Sequence, residues 1–124
     1  MTKKPEPKRV ALDLDATDYL RVLGGPPESV SMRSGYVVLL PEKSVGRHNT
    51  ESYEEALVVL DGEGEMLFAD GSVLPLEPYV VAYCPPETEH DVRNTGNKPL
   101  RYVYIVARAT GGNLSFSGKR EEII

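Results

Sequence analysis

The sequence predicts an all-β sandwich or barrel. Short apolar runs of strand length, turn residues spaced between them, and the lack of any long helical stretch all point there. The runs are Val37 to Leu40, Ala56 to Leu60, Glu65 to Ala69, Ser72 to Leu76, Tyr79 to Cys84 and Leu100 to Ala107. They are rich in Val, Leu, Tyr and Ile, which suit a pleated, half-buried surface. Ten prolines and 11 glycines fall mainly between them. Asp61-Gly62, Asp70-Gly71, Pro85-Pro86 and Asn94 to Asn97 are the turn signals, and regular short strands with such turns close into a sandwich or barrel.

Only Asp15 to Leu23 could be helical. It opens on capping residues, Asp15 and Thr17, and stops at Gly24-Gly25-Pro26-Pro27. Its Tyr19, Arg21 and Leu23 also alternate with Leu20 and Val22, as in a strand, and both readings stay open.

At 124 residues the chain suits one domain, with a barrel core over about 32–107 and extensions over 1–15 and 110–124. A core of that length needs no disulfide or metal merely to fold. The single cysteine, Cys84, excludes an internal disulfide and points to a reducing compartment, hence a cytoplasmic protein. No apolar run follows the charged N-terminus, so no signal peptide is expected, and none approaches a membrane span. Fourteen basic against 19 acidic residues give a net charge of −5. The basic residues are scattered, which disfavours nucleic acid as a partner, because phosphates demand a concentrated basic surface.

The chemistry concentrates on the two histidines. His48 and His90 each sit at a strand edge beside a turn, and Glu55 opens the run that ends at Gly62. If Glu55 points into a barrel, so do Leu57 and Val59, while Glu54, Ala56 and Val58 face out. His90, Val92 and Asn94 share a face in the same way. Two imidazoles and a carboxylate converging there would suit Mn, Fe, Ni, Cu or Zn. An inward carboxylate is expensive in a small barrel unless paired or metal-bound. Tyr102 and Tyr104 share one face of the last run. Tyr102 and Tyr36 could orient a ligand or simply pack in the core, and Met32 could line pocket or core.

At these residues the chain resembles the cupin superfamily, whose two motifs read G-x5-H-x-H-x(3,4)-E-x6-G and G-x5-P-x-G-x2-H-x3-N. His48, Glu55 and Gly62 take their places in the first, and Pro85, His90 and Asn94 in the second. The resemblance runs from about Met32 to Ala107 and implies a double-stranded β-helix, the jelly-roll barrel. It departs at Thr50, which replaces the first motif's second histidine. It departs again at Glu42, Tyr79 and Glu87, which occupy glycine positions. A hydroxyl is no substitute for imidazole as a ligand. The site is therefore read as His48, Glu55 and His90 with open positions, or else completed by Glu51 after a loop rearrangement, with Thr50, Tyr36, Tyr102 and Met32 around it. The resemblance further implies a small-molecule ligand and a homodimer. Two functions remain open: a metal-dependent enzyme, of dioxygenase or isomerase type, and a metal-free barrel that binds a sugar or organic acid.

Overall fold

A computed structural model of the chain describes residues 4–109. The N-terminal residues 1–3 and the expected extension over 110–124 lie outside it. Nine strands follow in order: β1 (Leu20–Gly24), β2 (Arg33–Leu39), β3 (His48–Asn49), β4 (Tyr53–Asp61), β5 (Gly64–Phe68), β6 (Val73–Leu76), β7 (Val81–Cys84), β8 (Glu89–Asn94) and β9 (Leu100–Arg108). They form a five-stranded sheet, β1-β2-β9-β4-β7, and a four-stranded sheet, β3-β8-β5-β6. Every pairing is antiparallel. Among the described residues there is no helix, and so none long and apolar enough to cross a membrane. Of the ambiguous segment Asp15 to Leu23, only the part from Leu20 is strand, as β1 paired antiparallel to β2, while Asp15 to Tyr19 forms no regular element.

The two sheets bury one core between them. Leu39, Leu57, Val59, Ala82, Cys84, Leu100 and Tyr102 come from the larger sheet, and Met66, Leu76 and Val92 from the smaller. The alternation read along Glu55, Leu57 and Val59 is the inner face of β4, with Leu57 and Val59 fully buried. Removing each such side chain from water stabilises the fold by about 1.5–3 kcal/mol.

The turns are those the sequence marks. Gly62 (φ +86°) joins β4 to β5, and a Cβ there would collide with the Pro99 carbonyl. At the β5–β6 turn, Asp70 Oδ1 accepts from the Ser72 amide (2.9 Å) and hydroxyl (2.7 Å). Asn94 is a strut: its amide nitrogen donates to the carbonyls of Leu39 (2.8 Å) and Lys98 (2.9 Å), and its oxygen accepts from Gly96 (2.7 Å).

Glu42, Tyr79 and Glu87, the three residues at glycine positions of the resemblance, all have left-handed backbones, with φ of 71°, 73° and 53°. Each adopts a backbone that only glycine takes up without a steric cost.

Residues 13–16 cross the outer face of the larger sheet. The Tyr36 hydroxyl donates to the Asp13 carbonyl (2.9 Å), and Arg101 donates to the Ala16 carbonyl (2.7 Å) and to Tyr36 (3.0 Å). Tyr36 and Arg101 are buried by this cover, on the side of the sheet away from the core.

Candidate metal centre

His48 and His90 are direct cross-strand partners on β3 and β8, with ring centroids 4.2 Å apart. Glu55 reaches them from β4 in the opposing sheet, where its register partners are Val106 and Cys84. One ligand-capable atom from each of the three lies within 4.8 Å of the others. The site therefore exists only because two sheets close on each other.

Backbone carbonyls orient both imidazoles. His48 Nδ1 is 2.8 Å from the Gly46 carbonyl, and His90 Nδ1 is 3.1 Å from that of Thr88. A carbonyl only accepts, so each Nδ1 carries a proton and each Nε2 is left for something else. Outer partners of this kind are characteristic of histidines that ligate a metal. Gly46 takes φ +108° and fixes the turn by donating from its amide to Asp91 (2.9 Å).

His90 Nε2 meets Glu55 Oε1 at 2.9 Å. With Nδ1 already donating, this contact needs either a proton on Nε2 or a cation shared by the two atoms. Burial works against the imidazolium. The hydrogen bond to Glu55, the Thr88 carbonyl and the charge of Glu55 outweigh it, so the His90 pKa is raised. His90 is buried, Glu55 nearly so, and His48 exposed.

The donor set fits a divalent transition metal. Imidazole nitrogen and carboxylate oxygen are its usual ligands. Two atoms that each lie about 2.0–2.2 Å from one ion are no more than about 4.4 Å apart. The 2.9 Å between His90 and Glu55 is within that reach. The 4.8 Å spread of the three slightly exceeds it, so all three would hold one ion only after a small side-chain shift.

A cavity of about 440 Å³ opens onto His48 and Glu55, with Thr50, Tyr102 and Tyr104 among its other lining residues. Thr50 is here, but its hydroxyl is committed elsewhere. It donates to the Pro85 carbonyl (2.8 Å) and accepts from the Thr88 amide (3.0 Å). It pins the loop that carries His90. Glu51 lines the cavity without joining the three. Tyr102 is buried beneath the site, and burial first, then the charge of Glu55, pushes its pKa up, so it stays a neutral hydroxyl.

Two expected pocket residues are elsewhere. Tyr36 pairs with Val103, opposite in parity to the inward pair Val37 and Tyr102, and lies on the covered outer face. Met32 precedes β2 and is 41% exposed, clear of the cavity.

Three residues not singled out in the sequence do line or reach the cavity. Arg33 and Tyr53 stand at its mouth. The Tyr19 hydroxyl meets that of Tyr104 at 2.7 Å, passing over Gly35, where any Cβ would strike it. The alternation Arg33-Gly35-Val37 was the only sequence signal for the first.

The family model described as "Cupin domain" matches residues 35–106. A glucose-6-phosphate isomerase from Pyrococcus abyssi is 32% identical over 68 residues, covering 52% of this chain and 36% of that protein. The chain thus spans little more than a third of its curated relative. A Cupin 2 conserved barrel domain protein from Salinispora arenicola superposes with a TM-score of 0.68 at 21% identity, over 84% of this chain and 91% of that one. The cupin domain of Schizosaccharomyces pombe Cnp3 gives 0.68 at 15% identity, over 80% and 74%. A "predicted oxalate decarboxylase" from Thermotoga maritima gives 0.59 at 19% identity, over 80% and 99%. These structural likenesses establish the double-stranded β-helix and nothing finer.

Proposed function

The chain belongs to the cupin family, and from that premise we propose a one-domain barrel, with its core about 32–107, that holds a divalent transition metal (Mn, Fe, Ni, Cu or Zn) on His48, Glu55 and His90 and acts on a small polar molecule in the adjoining cavity. One observation carries the reading. Both histidines have Nδ1 tied to a backbone carbonyl, which leaves each Nε2 free of the backbone, and one ligand-capable atom of each histidine and of Glu55 lies within 4.8 Å of the others.

When bound, such an ion supplies Lewis-acid polarisation of a substrate oxygen. The chain's own residues do the rest. His90 and Glu55 fix two neighbouring ligand positions from a buried base. Exposed His48 closes the third side at the mouth. Thr50 offers no fourth ligand, so positions stay open for the bound molecule. Tyr104 and Tyr102 present neutral hydroxyls, since burial pushes both pKa values up, and they donate to or orient a ligand rather than remove a proton from it. Isomerisation is favoured among the reactions that the family hosts, on the strength of the identity with the Pyrococcus isomerase. The reading extends to a cytoplasmic protein, supported by the free buried Cys84. It also extends to a homodimer, supported by Val81 and Tyr83 exposed on β7 at the edge of the larger sheet.

Elemental analysis of untagged protein tests it. Stoichiometric metal, lost in both His48→Ala and Glu55→Ala, is the expected result. Metal-free protein whose thermal stability ignores added Mn, Fe, Ni, Cu and Zn would refute it in favour of a barrel that binds its ligand without metal.

A further inference from the structure

Among the described residues, the arginines from β1 onward divide by what they touch. Arg21, Arg47 and Arg93 each reach a glutamate, and Arg101 is satisfied by Ala16 and Tyr36. Arg33 and Arg108 do neither. Among the described residues no carboxylate lies within 4.0 Å of either guanidinium. Both instead flank one ring, that of Tyr53, with guanidinium carbons 6.0 Å and 5.3 Å from its centroid. Arg33 also packs on Gly25, where a Cβ would sit 3.1 Å from its Nε. An aromatic face on one side and bare backbone on the other hold the guanidinium without spending its hydrogen bonds.

Its place in the sheet gives this meaning. Arg33 pairs with Val106, and Val106 pairs with Glu55. The three form one row across β2, β9 and β4, so Arg33 and Glu55 share the inner face. Two strand spacings separate them, about 10 Å. Arg33 lines the same cavity as His48 and Glu55. In the next inward row of the same strands, opposite Gly35 and Leu57, stands Tyr104, whose hydroxyl is paired with Tyr19. Two hydroxyls sharing one hydrogen bond leave one proton free for a ligand oxygen.

We infer that the cavity selects a small anion, a carboxylate or a phosphate monoester, whose charged end is held at the mouth by Arg33, with Arg108 adding to the local positive charge, while its other end faces His48, Glu55 and His90. This deepens the proposed function and rests on the triad only for the orientation of the ligand. Arg33 is a specificity residue. A guanidinium offers a carboxylate or phosphate two parallel hydrogen bonds and has little to offer a neutral amide or alcohol.

Titration calorimetry on the full chain, with metal content measured on every sample, tests the inference. The probes are succinate and glycerol 1-phosphate, against their neutral counterparts succinamide and glycerol. At least one anion binds the wild type, Arg33→Gln weakens it roughly tenfold or more, and Arg33→Lys recovers part of the loss. Added salt weakens the same binding. The metal content of Arg33→Gln stays that of the wild type, because Arg33 touches no ligand of the triad. Tighter succinate assigns a carboxylate, and tighter glycerol 1-phosphate a phosphate monoester. Three outcomes overturn the inference: neither anion binding at about 5 mM, the neutral probes binding as tightly, or an affinity within about twofold in Arg33→Gln. Metal-free wild type whose stability ignores added metals, yet which still binds the anion through Arg33, would remove the metal reading and leave this one standing.

Discussion

Tyr79 holds a left-handed backbone, φ 73°, at a position where cupins carry glycine. Its side chain is 90% exposed, so it repays little through burial. Its amide donates to the Val59 carbonyl at 2.9 Å, which ties this unfavourable conformation to the core strand β4. A Cβ in the left-handed region costs about 1–2 kcal/mol. Glycine removes that cost but adds about 0.5–1 kcal/mol of unfolded-state entropy. Tyr79→Gly is therefore expected to stabilise the protein by about 0.5–1 kcal/mol, a rise in Tm of about 2–4 °C for a chain of this size. Urea unfolding measures it as a higher midpoint at unchanged slope. Tyr79→Ala is the control, since it deletes the ring and keeps the Cβ, and it should change stability by less than about 0.5 kcal/mol. If alanine stabilises as much as glycine, the gain comes from losing an exposed ring and the backbone argument is wrong. A destabilised glycine variant would refute it equally. Glu42→Gly and Glu87→Gly should behave as Tyr79→Gly does, because their backbones have the same sign of φ.

Two further outcomes follow from the site. Thr50→Val should lower the unfolding free energy by about 1–3 kcal/mol, read as a lower urea midpoint, since it strips the Thr88 amide of its acceptor and the Pro85 carbonyl of a donor, while metal content stays unchanged; an unchanged midpoint would mean that the hydroxyl does not pin the loop. Burial, then the charge of Glu55, raises the Cys84 thiol to about 11. The fold thus favours the neutral thiol, and its contribution to stability is full below the unfolded pKa of about 8.5 and lost as pH rises through about 11. Native protein at about pH 8 should resist iodoacetamide until urea unfolds it, and the wild type should lose more stability than Cys84→Val across that alkaline window. Rapid native labelling would contradict both.

Much of the barrel was legible because turn and strand chemistry are local. Gly62 and Asp70-Gly71 sit where the backbone must turn, and the parity of Glu55, Leu57 and Val59 followed from alternation once one residue was assigned inward. The three residues of the candidate site were legible for a related reason, since fixed spacing within two short segments places His48 and His90 at strand edges. β2 was not. Tyr36 is fully screened from water, beneath residues 13–16, and Val37 partly so, against the core. A strand covered on both faces shows no alternation by which to choose its inner side. Tyr36 was therefore placed in a pocket that belongs to the opposite parity, and Arg33 went unnoticed on the inner face.

What the sequence by itself determined is thus the all-β class, the position of the turns and the donor types of the site. Only the tertiary structure decided that Glu55 meets His90 across two sheets, that Thr50 spends its hydroxyl on the backbone, and that Arg33 stands at the mouth. These are contacts between residues separated by 35 positions or more for the first two. No local preference encodes such a contact, which arises only when the sheets close and bury the core between them.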